Sequence, residues 1–530
     1  MAFIGKNTIE NLTTAMYEDL RIIYREYIQN SADSIDQAIK NGLITAEEAI
    51  IDIVIDKKKN YVCIQDNGIG IKAEKFEKIM GSIADSTKDR KEDKGFRGIG
   101  RLGGISCCQK LVFSCSTEGE NIESICEWDA KLVRDILVDQ TQNPSAEQLV
   151  NMATTYKQKQ CDADKHYFKV ELIEIEKASY EILDEKSVKD YLCAVAPIPY
   201  DVGFIYASPI HDFARQNGFR VDEYIIYVNG ESLFKKYTTK LYEPHNGSKK
   251  AYDELIDVKF EIFYDNEDRP LAWMWYGVSK FEKQIPPINL MRGIRLRKSN
   301  IQIGNETTFT SHEYYKEPRS GLYFVGEVFA VHPGLIPNAR RDYFNLNNIC
   351  RMFEETLRPL FNERFYRIYH YANDYKKALQ KQNEAVVARD DFNDKVISGG
   401  FVNTDDKEEA EKKVYALEDA ASKAAKTVEI RNLKEGTDDV LSKVYSKLKN
   451  DYQAKKEGDT EKSSSSLESV DDTNKKRREN GKDKFLSQKL SKYGKKEQKL
   501  IGHIYSILQS ILPYDTAKLV IQKIQEELSK

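Results

Sequence analysis

The chain has 530 residues, 40 % hydrophobic and 31 % charged, with a formal net charge of −4. That length supports several domains, each with its own core, and the near-neutral balance gives no global argument for nucleic acid. No segment approaches the ~18 continuous apolar residues of a membrane span, and "MAFIGKNTIENLTTAMYEDL" turns polar too early for a secretory leader. A cytoplasmic protein with no membrane partner is expected, its eight scattered cysteines reduced and mostly structural.

Residues 13 to 40 read as a helix, because Leu20, Ile23, Tyr24, Tyr27, Ile28, Ile35 and Ile39 recur at three- and four-residue steps. The stretch "YREYIQNSADSIDQA" sets Glu26, Asn30, Asp33 and Asp36 along it. Glu26 and Asn30 are four apart and share a face, and Asp33 stays near that face. A carboxamide oxygen suits Mg2+, a hard cation. A carboxylate one turn away suits a water attacking a phosphate. The plain alternative is a solvated helix face.

"AIIDIVIDKK" and "NYVCIQDNG" read as a hairpin ending at Asn67-Gly68. In "CIQDNGIGI" a strand runs into Asp66, and Gly68 and Gly70 permit a sharp bend or a close approach of backbone to ligand. An ionised Asp66 only accepts hydrogen bonds, which suits an exocyclic amine such as adenine N6. The alternative is an ordinary Asn-Gly turn. "KAEKFEKIM" is a short helix, and a polar, glycine-rich stretch follows over residues 81–104. Within it "DKGFRGIGRLGGIS" sets Gly95, Gly98 and Gly100 among Lys94, Arg97 and Arg101. Successive amides there can form an anion nest, and a helix starting near Gly98 would aim its N-terminus at phosphate. The preceding "ADSTKDRKEDK" suits a lid over a ligand; the alternative is a surface loop. "KLVFSCST", "SICEWDA" and "YFKVELIEIE" then read as strands, so residues 1–195 form an α+β layer domain with a mostly antiparallel sheet.

Residues 201–360 form a second α/β block, with strands in "DEYIIYVNGESL", "VKFEIFYDN", "LAWMWYGVSKF", "GIRLRKSNIQIG" and "GLYFVGEVFAV" and then a helix. Residues 361–453 are helical and charged, a solvated helix or a coiled-coil arm. Residues 454–485 have almost no apolar content and read as a disordered linker. Residues 486–530 regain helical periodicity as a small module for docking or self-association. The basic "MRGIRLRKSN" and "KKRRENGKDK" leave a nucleic-acid partner open, and the charged arm leaves a protein client equally open.

The order of "EYIQNSADSID", "DNGIG" and "GFRGIG" resembles the ATP-binding domain of the GHKL type, shared by Hsp90-type chaperones, the gyrase B subunit, MutL-type repair proteins, MORC proteins and sensor histidine kinases. The likeness covers residues 13–195. It implies a Bergerat-type α/β sandwich that binds ATP and Mg2+. By that resemblance Glu26 is the general base, Asn30 the magnesium ligand and Asp66 the adenine reader. Asp33, Gly68 and Gly70 line the nucleotide site, and Lys94, Gly95, Phe96, Arg97, Gly98, Ile99 and Gly100 hold phosphate. Many members carry a "GT" pair on a late strand; here Phe168-Lys169 stands near that place. The second block resembles the Hsp90-type middle, transducer-like segment, whose loop ends in an arginine-acidic pair. Arg341, followed by Asp342, is the expected phosphate-sensing residue, with Arg340 and Lys298 as alternatives. The implied function is Mg-dependent ATP hydrolysis driving the conformational cycle of a nucleotide-dependent homodimer, clamp-like or chaperone-like. The alternatives are a histidine-kinase-type phosphotransferase and a non-catalytic nucleotide-gated scaffold; binding alone does not require the carboxylate of Glu26.

Overall fold

A computed structural model describes residues 4–13, 19–83, 100–311, 314–435 and 439–464, with scattered positions between 501 and 524. The chain divides into two compact units: Met1–Asn373 with Thr437–Tyr445, and Asp374–Gly436 with Ser446–Lys530.

The helices are α1 (Asn7–Leu12), α2 (Ile22–Lys40), α3 (Ala73–Gly81), α4 (Ala130–Val138), α5 (Ala146–Ala153), α6 (Glu185–Val195), α7 (Ala207–Gln216), α8 (Thr308–Ser311), α9 (Asn348–Pro359), α10 (Tyr366–Ile397), α11 (Thr404–Glu435) and α12 (Asp439–Ser464). The first sheet uses β1 (Ile50–Asp56), β2 (Tyr61–Asp66), β3 (Cys108–Ser116), β4 (Ile122–Asp129), β5 (Thr154–Gln160), β6 (Tyr167–Ile175), β7 (Ile225–Val228) and β8 (Glu231–Ser232). A ribbon of β9 (Lys240–His245) and β10 (Ser248–Glu254) follows. The second sheet uses β11 (Asp257–Tyr264), β12 (Pro270–Val278), β13 (Gly293–Lys298), β14 (Ile301–Ile303) and β15 (Val325–Ala330).

The first sheet runs β5-β4-β3-β6-β2-β1-β7-β8. Every pairing is antiparallel except β1 with β7. Alternation in β1 buries Ile51, Ile53 and Ile55 while Asp52 and Val54 face outward, the pattern of a strand with one covered face. The core of this layer joins Ile51, Ile53, Leu111 and Phe113 to Ile23, Tyr24, Ile28 and Ile35 of α2. The sheet does not end at residue 195: β7 and β8 extend it from beyond that point. The expected helix over 13–40 is shorter at its start, with α2 beginning at Ile22.

The second sheet runs β11-β12-β15-β13-β14. Its middle strands β12, β13 and β15 are covered on both faces; β12 accordingly reads as a near-continuous apolar run, while β13 buries Arg295 and Arg297 and β15 buries Glu327. From α7, Phe213 stacks on Phe260 with ring centroids 4.4 Å apart, on the face that carries Trp273. Tyr276 points the other way, against Phe365.

One fully buried charge cluster ties the second sheet to the first domain. Glu327 of β15 pairs with Arg297 of β13 and with Lys235, and receives the Tyr200 and Tyr237 hydroxyls. Arg297 also donates to the Ala194 carbonyl of α6 at 3.0 Å. Two cations share one carboxylate. Glu327 is held down at about 2, with Arg297 its leading cation, whereas burial and then the Arg297 charge push Lys235 down to about 7.

In the second unit, α10 and α11 are joined by a double hydrogen bond from Arg389 to Glu418 at 2.8 and 2.6 Å. Tyr505 and Ile521 form a small cluster with Ile501, Leu508 and Ile524. Where a linker is expected from residue 454, the backbone of α12 stays helical to Ser464; residues 465–485 lie outside the described residues. All eight cysteines are free. Among the described residues no helix is long and apolar enough to cross a membrane.

Candidate functional site

The polar groups of α2 do not form a solvated face. Arg25, Glu26, Gln29 and Asp33 are all buried. Burying polar groups opposes folding unless they find partners. The fully buried Ile23, Ile28 and Ile35 of the same helix contribute about 1.5–3 kcal/mol each and offset that cost.

Glu26 is the centre of one end of the site. Its Oε1 lies 2.8 Å from Nε of Arg341 and 3.8 Å from Nη2 of Arg25. Arg341 is itself buried, and its backbone is left-handed, with φ of 55°. Gly100 comes so close that a β-carbon there would sit 2.3 Å from Oε2 of Glu26. The segment after Gly100 is a 3-10 turn, Gly100–Ser106. Tyr27 holds it, donating to the Arg101 carbonyl at 3.0 Å and accepting from the Gly104 amide at 3.1 Å. The C-terminal part of the glycine-rich run, from Gly100 on, is thereby held one residue along α2 from Glu26.

Asp66 forms the other end. It is buried at the end of β2, and its Oδ1 accepts the Gly68 amide at 2.9 Å. Its Oδ2 is buried with no hydrogen bond of good geometry. Burial raises its pKa to about 6, against the lowering pull of Ser31, the Gly68 amide, Ser34 and the Phe168 backbone. The turn after Asp66 rests on α2: Ile69 donates its amide to the Ser34 carbonyl at 3.2 Å, and a β-carbon at Gly68 would lie 2.1 Å from the Ser34 hydroxyl. Gly70 has φ of 69° and faces the Ser116 carbonyl so closely that a side chain would collide with it. Asn67 anchors the outer side, accepting the Ile50 amide at 2.9 Å. One helix therefore carries both ends of the site, with Asn30 half-buried between them.

The remaining expected residues fall as follows. Lys94, Gly95, Phe96, Arg97, Gly98 and Ile99 lie outside the described residues. Of the three basic candidates from the second block, Arg341 meets Glu26. Lys298 instead donates to the His332 carbonyl at 2.9 Å. Arg340 is exposed and offers its carbonyl to Arg25 at 3.4 Å. Phe168 sits opposite Asp66 in the β2–β6 register, its ring 6.0 Å from that of Phe113. Asp36 is taken up by Tyr224, which donates to it at 2.8 Å, and belongs to the packing of α2. Sequence reasoning missed Arg25, Tyr27, Ser31 and Ser34. The serines carried a signal: two small side chains three apart, on a helix that must let a glycine turn approach.

Residues 22–167 match the family described as Histidine kinase-, DNA gyrase B-, and HSP90-like ATPase. The N-terminal region is a GHKL-type ATPase domain. It has the α/β Bergerat-like fold and is followed by mixed α/β and helical regions. The matched span begins at the first residue of α2 and ends in β6, so it contains Glu26, Asn30, Asp66 and Gly100. The chain is also similar to proteins called Chaperone protein HtpG. With that of Halalkalibacterium halodurans it shares 26% identity over 142 residues, 24% of this chain and 22% of the relative. With that of Alkaliphilus metalliredigens it shares 31% over 110 residues, 19% of this chain and 18% of the relative. With that of Treponema pallidum it shares 27% over 145 residues, 22% of this chain and 23% of the relative. The chain thus spans about a fifth of the length of these curated relatives. Arg341 lies outside the matched family span and reaches Glu26, within it, from the second block.

Proposed function

We propose that the chain hydrolyses ATP in the site between α2, the Asp66 turn and Gly100, with Glu26 as general base and Arg341 as the phosphate-facing cation. The carrying observation is that Glu26 is buried against Arg341 from the second block and against the backbone of Gly100. A carboxylate placed there can take a proton from an attacking water. A guanidinium placed there can stabilise charge that develops on a transferred phosphoryl group. The residues fit the nucleotide: the buried, unsatisfied Oδ2 of Asp66 is an acceptor suited to an exocyclic amine. Bound magnesium would screen the triphosphate charge, and the carboxamide oxygen of Asn30 is the group to hold it.

The resting contact between Glu26 and Arg341 spans two blocks of the chain, so a phosphate that draws Arg341 away changes how those blocks meet. That is the basis of a conformational cycle. The name of the matched relatives favours a chaperone-like output; the proposed cycle further runs in a nucleotide-dependent homodimer. The test is steady-state ATP turnover with magnesium. Glu26→Ala should lose about a hundredfold or more in kcat while still binding ADP. Equal turnover in that variant and the wild type would refute the assignment of Glu26.

A further inference from the structure

We propose that Gly304 is a positioning residue for Arg341, an inference that rests on the proposed role of Arg341. Residues 337–344 form a small hairpin: Pro337 bridges to Phe344, the Asn338 amide donates to the Tyr343 carbonyl at 2.9 Å, and the Arg341 amide donates to the Asn338 carbonyl at 3.2 Å. Arg341 sits near the tip with its left-handed backbone, φ 55°. An arginine has no intrinsic preference for that conformation; the turn from Asn338 to Arg341 calls for it, and a contact from outside the hairpin steadies it. The Gly304 amide does so, donating to the Arg341 carbonyl at 2.8 Å.

Gly304 directly follows β14 and has φ of 66°. A β-carbon on it would lie 2.7 Å from the Asp342 carbonyl oxygen and 2.1 Å from Oγ1 of Thr308. The first of these is backbone of the hairpin itself and cannot swing aside. Thr308 closes the same turn, accepting the Asn305 amide at 2.8 Å and donating to the Asn305 carbonyl at 2.9 Å. A side chain at 304 therefore pushes the hairpin off its seat, and the guanidinium moves with it. Gly304 never touches the site; it acts through Arg341.

The test measures ATP turnover, ADP affinity and nucleotide-free unfolding of the full chain for wild type, Arg341→Ala, Gly304→Ala and Thr308→Ala. Gly304→Ala should lower kcat at least about tenfold with KM and ADP affinity within about twofold, and should add nothing to Arg341→Ala. Thr308→Ala, which introduces no clash, should lower kcat about threefold in the same pattern and covers the case in which Gly304→Ala does not fold. Without nucleotide, Glu26→Gln and Arg341→Ala should show non-additive melting shifts in the wild-type background, additive ones in the Gly304→Ala background and a reduced non-additivity in the Thr308→Ala background. If Arg341→Ala is slow but Gly304→Ala and Thr308→Ala turn over like the wild type, the positioning role is overturned and the role of Arg341 stands. If the wild type does not turn over ATP, or Arg341→Ala is fully active, the underlying reading falls and this inference with it.

Discussion

Asp66 is kept in the folded chain against its own ionisation. Its pKa rises from 3.8 to about 6 on burial, so between those values the folded state holds a proton that the unfolded state has released. Stability must then fall as pH rises through that window and level off above about 6. A shift of that size corresponds to about 3 kcal/mol. Asp66→Asn should therefore match the wild type in urea denaturation below about pH 4 and exceed it by about 2–3 kcal/mol above pH 6. The same variant should bind ATP at least about tenfold more weakly, because a required acceptor is replaced. A residue that costs stability and is needed for binding marks a functional site. Wild-type ATP affinity should likewise drop as pH is lowered through about 6.

At the scale of elements, α2 and the second sheet are built on opposite plans. In α2 the apolar three- and four-residue steps were readable, and so were Glu26, Asn30 and Asp33, because a helix displays its periodicity locally. What the sequence could not display was the burial of Glu26 against Arg341, which arrives from more than three hundred residues away. Arg340, Arg341 and Lys298 are chemically alike as letters. In the fold Arg341, with its left-handed backbone, reaches Glu26, while Arg340 beside it is exposed. The parallel pairing of β7 with β1 was hidden for a similar reason: Ile225 meets Ile50 across the whole first domain, with no hairpin turn to announce it. The apolar residues of β12 and β15 did identify strands, but Glu327 within β15 gave no sign of its partners.

The buried cluster around Glu327 yields a prediction of its own. Removing the one carboxylate strands two cations, so Glu327→Ala should cost about 3–5 kcal/mol in chemical denaturation. Lys235→Met should cost far less, because its charge is already disfavoured by burial and by Arg297. Equal losses in the two variants would mean that Lys235, not Arg297, is the main partner of the carboxylate.

Over the whole molecule, a GHKL-type ATPase domain occupies the matched residues 22–167, and a second α/β block supplies Arg341. The account depends on α2 gathering the Asp66 turn and the glycine-rich run around one nucleotide. Calorimetric titration of ATP into the intact chain with magnesium tests this most directly. The account predicts one saturable site per chain that survives Glu26→Ala and is severely weakened in Asp66→Asn. No heat of binding in the wild type, or unchanged binding in Asp66→Asn, would contradict it.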